Sequence, residues 1–331
     1  MIHTAQFYIL LEDAEVSTLC RRFKQDISLL PRAIDTHFEG FKTVFRKYGS
    51  CWWMFVYIDF IKMLVKPDIW VDDVQAIRKK MNAYLYMLFD SYDKEFTLIR
   101  LDYRIDAVIP DPDHRKLLLK LYRKTTEQYG FKRKNAHFPT TIYFNSNSVK
   151  VICYDKESER NAKGEEILPH ERNVLRFEVS ILNRHLNYMK KAYGLEKRLE
   201  SYMTAEFWAK YMKGSLCPIF YEGNYYKITT ATPIIQGSNL KERDKQNLRR
   251  FLCDVSRYGI SGIRNLESKG EDGVKKPLYS DYLIRKYINM LASLDINPLL
   301  IPKNEPIKLG KEKWILNPFR LHLQQEKPIH F

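Results

Sequence analysis

Residues 100–106 read Arg-Leu-Asp-Tyr-Arg-Ile-Asp, with a charged side chain at every second position. That is the period of a β-strand, so Arg100, Asp102, Arg104 and Asp106 fall on one face and Leu101, Tyr103 and Ile105 on the other. Successive side chains on a strand face lie roughly 7 Å apart. Acids sharing such a face, here Asp102 and Asp106 with Arg104 between them to limit their repulsion, can serve one metal ion or one phosphate site. A solvated face of ion pairs has the same pattern. Residues 175–181, Leu-Arg-Phe-Glu-Val-Ser-Ile, repeat the alternation with Arg176, Glu178 and Ser180 pointing one way. Glu178 is there either an exposed-face residue or a buried ligand. Between the two strands, Val149 to Lys156 carries Tyr154 beside Asp155 and Lys156, one tyrosine of the chain's 22.

The order of these pieces is informative. Arg100-Leu101-Asp102 with Asp106 is followed by Thr141-Ile142-Tyr143-Phe144-Asn145-Ser146. Then come Ile152-Cys153-Tyr154-Asp155-Lys156-Glu157-Ser158-Glu159 and Arg176-Phe177-Glu178-Val179. The set resembles rolling-circle replication initiators, the Rep-trans plasmid initiators and the filamentous-phage gene II/X replication endonucleases. Met1-Ile2-His3-Thr4 and Asp295 to Pro302 also look like the phage type. The specific motifs cover residues 100–182. Two departures stand out: Asn145 replaces a common glycine in the hairpin, and the histidine-hydrophobe-histidine triplet of the wider HUH nucleases is missing.

The resemblance implies an enzyme that nicks and rejoins one DNA strand at an origin through a covalent 5′-phosphotyrosine. It implies Tyr154 as nucleophile, with Lys156 adding positive charge near the phosphate. Tyr188, near Tyr193 on the helix after Arg184-His185, is the rival nucleophile. Lacking the histidine triplet, such a protein is expected to hold Mg²⁺ or Mn²⁺ with carboxylates, here Asp102, Asp106 and Glu178, because oxygen ligands suit those ions. A phenol ionises near pH 10, so a cation or a base must assist the attack. His185 and His137 read more simply as capping or surface residues. The expected partners are origin DNA, single-stranded or extruded as a hairpin, and a host helicase. The rival functions are a non-catalytic DNA- or RNA-binding protein on the same scaffold and a conjugative relaxase using the same chemistry.

Composition agrees with a polyanionic partner. The 331 residues carry 55 Lys plus Arg against 40 Asp plus Glu, a formal charge of +15. Neutralising phosphates releases their counterions, which favours such a chain on nucleic acid. One basic track is Arg115, Lys116, Lys120, Arg123, Lys124, Lys132, Arg133 and Lys134 on and after the helix from His114. A second is Arg249, Arg250 and Arg257, running into a Gly-containing break that could begin a helix-turn-helix or winged helix. Arg100, Arg104 and Arg176 are further DNA-binding candidates. No secretory signal, lipidation motif or membrane span is read, and five scattered cysteines suit reduced thiols in a bacterial cytoplasm.

The elements predict an α+β protein with a central, mainly antiparallel sheet and helices. Strands are expected over residues 1–12, 42–46, 52–59, 96–106, 140–144, 149–155 and 174–182. Helices are expected over 13–27, 70–87 and 114–129. Residues 157–172 read as a polar loop, and the chain turns helical after Asn183. The implied division is a nicking domain at 1–195 and a helical accessory domain at 196–331, ending in a Pro-rich extended tail from Asn297. The oligomeric state is left open.

Overall fold

The computed structural model describes residues 2–125, 140–269, 275–306 and 313–319. It is α+β, with a seven-stranded antiparallel sheet. The strands are β1 (Ile2–Leu11), β2 (Phe41–Tyr48), β3 (Cys51–Asp59), β4 (Thr97–Val108), β5 (Thr141–Asn145), β6 (Val149–Asp155) and β7 (Val174–Leu182), in the order β2-β3-β1-β4-β7-β6-β5. Two compact units form. The first comprises Met1–Ile105, Ser146–Val151 and Glu178–Met212, and the second Asp106–Asn145, Ile152–Phe177 and Lys213–Phe331.

In the first unit one face of β1, β2 and β3 is apolar and covered. Phe7, Ile9, Met54, Val56 and Ile58 are buried there. The helices on the chain around them are α1 (Asp13–Phe23), α2 (Leu30–Asp35), α3 (Phe60–Leu64) and α4 (Val74–Phe89). Tyr84 of α4 stacks on Phe41 with centroids 4.7 Å apart, and its hydroxyl meets Thr43 Oγ1 at 2.7 Å. This is the period-2 burial of a half-covered sheet. A single 3-10 turn, Val71–Asp73, leads into α4, and the Asp73 carboxylate accepts from the Trp70 backbone N–H at 2.8 Å. The first helix stops at Phe23, earlier than its apolar spacing predicted, because Lys24 turns left-handed at φ 50°.

In the second unit, α5 (Pro112–Arg123) starts where Asp111 caps the backbone N–H groups of Asp113 and His114, with proline at the first helical position. The expected polar loop after Tyr154 begins instead with α6 (Lys156–Lys163). Asp155 caps it by accepting from Ser158 N at 2.8 Å, and Gly164 closes it at φ 67°. Highly charged residues hide a short helix from a hydropathy reading, since it needs little apolar surface when caps and ion pairs hold it.

After β7 the chain is mainly helical, as expected. It forms α7 (Asn183–Tyr193), α8 (Leu199–Tyr202), α9 (Ala205–Phe220), the short strand β8 (Tyr225–Tyr226), α10 (Ile228–Gln236), α11 (Glu242–Gly262) and α12 (Asp281–Ser293). The expected break at Gly259 is a kink, φ 73°, inside α11. A two-stranded hairpin, β9 (Glu267–Lys269) with β10 (Lys275–Pro277), lies between α11 and α12. The described parts of the expected extended tail, residues 297–306 and 313–319, are held by specific contacts. Asn317 Nδ2 donates to Tyr221 O at 2.7 Å, Asn297 Nδ2 to Phe220 O at 2.6 Å, and Phe319 packs edge-on against Phe177 at 4.8 Å. Buried asparagines compensate for the missing regular structure by satisfying loop carbonyls. No helix among the described residues is long and apolar enough to cross a membrane.

Candidate functional site

In the first unit, Asp102 of β4 sits opposite Thr4 of β1. Its carboxylate accepts from the Thr4 hydroxyl and from Arg100 Nε, the latter at 2.8 Å. The register slips between Ile2 and Thr4. A bulge of this kind re-aims the side chains beside it. His3, the residue at the slip, has Nδ1 3.2 Å from Glu178 Oε1. Burial alone would lower the Arg100 guanidinium, but the charges of Asp102, Glu178 and Tyr57 raise it above its ordinary value and keep it a cation. His3 and Thr4 are functional candidates that strand parity could not show, because the bulge that aims them has no signature in composition or period.

In the second unit, Asp106 is held by a two-pronged bond from Arg176, Nε to Oδ1 at 2.7 Å and a terminal nitrogen to Oδ2 at 2.8 Å. Arg176 is 0% exposed. Phe177 packs on Tyr122 of α5, so Arg176, one residue earlier, points to the opposite side of the sheet. Cys153 interacts with the same Tyr122, which places Tyr154 on the Arg176 side. Tyr154 is 7% exposed, and the Lys156 ammonium lies 5.7 Å from its ring centroid. The acids expected to share one ion are therefore individually engaged: Asp102 by Thr4 and Arg100, Asp106 by Arg176, Glu178 by His3. Asp102 and Asp106 are four strand residues apart, roughly 13 Å along the chain at strand rise. Among the described residues no three His, Cys, Asp or Glu side chains group so as to hold a metal ion.

Lys156 is buried, and it is committed to Glu159 at 2.7 Å and Glu171 at 3.5 Å. Arg160 forks onto Glu171 at 2.8 and 2.6 Å. Burial by itself would raise the Glu171 carboxyl, but the Arg160 hydrogen bonds and the Lys156 charge outweigh it and hold it at about 2. A depressed carboxyl contributes stability above its unfolded value near 4.5, and that contribution is lost as pH falls toward 2. Urea midpoints measured from pH 6 to 2.5 should therefore fall more steeply for the wild type than for Glu171→Gln. Parallel curves would remove Glu171 as a source of acid sensitivity.

Tyr188 lies in the first unit on α7, the helix that directly follows the strand bearing Glu178. It is 55% exposed and meets Tyr193 edge-on at 6.0 Å. The hydrogen bond to Tyr193, with that group's charge, raises the Tyr188 phenol. His185 is turned to a neighbour, with Nε2 2.7 Å from the Tyr211 hydroxyl, and burial lowers its pKa.

The expected DNA-binding residues divide by exposure. Arg104 is buried and bonds to Pro67 O and Asp68, Arg115 is buried against Asp155 and Glu157, and Arg176 holds Asp106. Charge and strand position offered these three to a phosphate, and the fold engages each guanidinium with internal partners. Arg100 is likewise paired, with Asp102. Lys116, Lys120, Arg249, Arg250 and Arg257 are exposed, while Arg123 and Lys124 are half-buried. Lys132, Arg133, Lys134 and His137 lie outside the described residues.

Residues 71–206 match the family model for the N-terminal part of a phage replication-associated protein, the gene II product. This segment is phage gene II-like. The match bears out the resemblance drawn from the ordered motifs, and it contains Asp102, Asp106, Tyr154, Glu178 and Tyr188. It supports a replication-associated role for the chain. No curated protein and no solved structure matches the chain significantly.

Proposed function

We propose that this gene II-like chain nicks and rejoins one DNA strand at a replication origin, with Tyr188 as the nucleophile. The observation that carries the choice is accessibility. A phenol must reach phosphorus in line, and Tyr188 is more than half exposed in the same unit as Glu178, whereas Tyr154 is nearly enclosed. In the exchange, the Tyr188 Oη–P bond forms as the P–O3′ bond breaks, and the released 3′ oxygen takes up a proton and can prime synthesis. One phosphodiester replaces another, so the reverse reaction rejoins ends without a nucleotide cofactor. A phenol is protonated at neutral pH, so its proton must be taken up by a base as the attack proceeds. Strand displacement after the nick calls for a helicase supplied by the host.

The acids as paired here do not form a ready cation site, so no step is routed through a metal. A requirement for Mg²⁺ or Mn²⁺ is read by adding and withholding the ion. Tyr154 is the second reading, favoured by the Lys156 cation over its ring. Labelled single-stranded oligonucleotides tiling the cognate origin should yield a protein–DNA adduct that survives a denaturing gel. Tyr188→Phe should abolish it and Tyr154→Phe should retain it. The reverse pattern would move the nucleophile to Tyr154, and binding with no adduct at all would leave only the non-catalytic reading.

A further inference from the structure

The covered face of β1, β2 and β3 has an uncovered counterpart with an unusual composition. The outer side of a half-buried antiparallel sheet ordinarily carries polar residues. Here the alternate positions present Tyr8 on β1, Trp53, Phe55 and Tyr57 on β3, and Tyr48 with Arg46 on β2. Tyr8 lies opposite Phe55, and Arg46 lies opposite Trp53. The rings form a run: Tyr8 to Trp53 at 4.6 Å, Trp53 to Phe55 at 6.1 Å and stacked, Tyr48 to Trp53 at 6.0 Å. Tyr57 is 37% exposed and Tyr48 53%.

Cations are set among these rings. The Arg46 guanidinium lies 5.7 Å from the Phe55 centroid, and the Lys197 ammonium 5.9 Å from that of Tyr8. The acid at these alternate strand positions is Asp59, and its carboxylate caps α3. A ligand fitted to this face therefore has flat apolar surfaces and negative charge. Single-stranded DNA has both, whereas a duplex hides its bases and offers phosphates alone. The face is also continuous with the acids of the first unit, because Gln6 and Thr4 of β1 lie opposite Arg100 and Asp102, and Tyr57 contributes to the field on Arg100. Its rings and Arg46 lie outside residues 71–206, and Lys197 lies within them.

We propose that this open face of β1, β2 and β3 is a stacking platform for single-stranded DNA. Bases stack on the Tyr57, Trp53 and Tyr48 rings while Arg46 meets the backbone. The choice of DNA rests on the function proposed above, but the platform needs no nicking. The test is fluorescence anisotropy with labelled (dT)12 in EDTA, where cleavage does not intervene. Stacking on an aromatic ring predicts about 10-fold weaker binding for Tyr57→Ala and for Trp53→Ala, with Tyr57→Phe within about 2-fold of wild type. Arg46→Gln should lower the slope of log K against log salt by about 0.7, one single-strand phosphate contact. A duplex of the same length should bind without sensitivity to Tyr57→Ala.

Circular dichroism melts identify any variant that is unfolded, and Tyr57→Phe with Tyr48→Ala then carry the comparison. Wild-type affinity in folded Tyr57→Ala and Trp53→Ala would overturn the platform. So would a wild-type dimer that these variants dissociate while (dT)12 affinity stays unchanged, since the face would then be a self-association surface. Tighter binding of (rU)12 through the same rings would overturn the choice of DNA. Ring-dependent binding without adduct formation would sink the nicking reading and leave the platform standing.

Discussion

Asp106→Ala should destabilise the protein by about 3–5 kcal/mol, the scale for removing one partner of a buried ion pair. The cost arises less from the lost attraction than from what remains. Arg176 is fully enclosed, and two of its nitrogens would keep their burial without the carboxylate that now receives them. Urea denaturation should show a lower midpoint with little change in slope. The double variant Asp106→Ala/Arg176→Met should recover most of the loss, because an apolar side chain of similar length needs no partner. A single-variant loss under about 1 kcal/mol would show that the pair is not structural, and Asp106 would return to contention as a ligand.

Arg115→Met should cost a comparable amount, again about 3–5 kcal/mol. Its guanidinium joins Asp155 at 2.5 Å, Glu157 at 2.9 Å, Ile109 O at 2.6 Å and Asn173 Oδ1 at 3.1 Å. Asp155 is itself the cap of α6, so this variant strands a buried carboxylate and loosens the start of the helix behind Tyr154. The neighbouring Lys116→Ala makes the contrast. Lys116 is exposed and pairs with the exposed Asp113 at 3.5 Å, so its removal should leave the urea midpoint nearly unchanged. Its effect should instead appear as a shallower salt dependence of DNA binding. If Arg115→Met left stability intact and weakened DNA binding, the division of this helix into a structural and a phosphate-facing side would be wrong.

Much of the framework is legible in the residues because alternation is a local property. The strand at 97–108, the hairpin strands β5 and β6, and the strand at 174–182 follow from period-2 patterning and a turn-forming Asn-Ser-Asn-Ser. Their order carries the gene II resemblance that the family match bears out. The helix at 156–163 was not legible, since its eight residues present almost no apolar stripe and depend on Asp155, Gly164 and ion pairs. Nor was the packing of Asn297 and Asn317, whose burial is made tolerable by carbonyls as far as 77 and 96 residues away in sequence.

Sequence alone determined which side chains share a strand face, the excess of positive charge, and the ordered motifs of a replication protein. Tertiary structure alone decided what each charge does. Asp106 and Arg176 sit 70 residues apart, and Thr4 and Asp102 98 apart. Their meeting depends on strand order and register, which a single strand's alternation does not encode. The same holds for the two tyrosines. Both Tyr154 and Tyr188 are candidates in the chain, and packing, which encloses one phenol and leaves the other more than half exposed, is what distinguishes their accessibility.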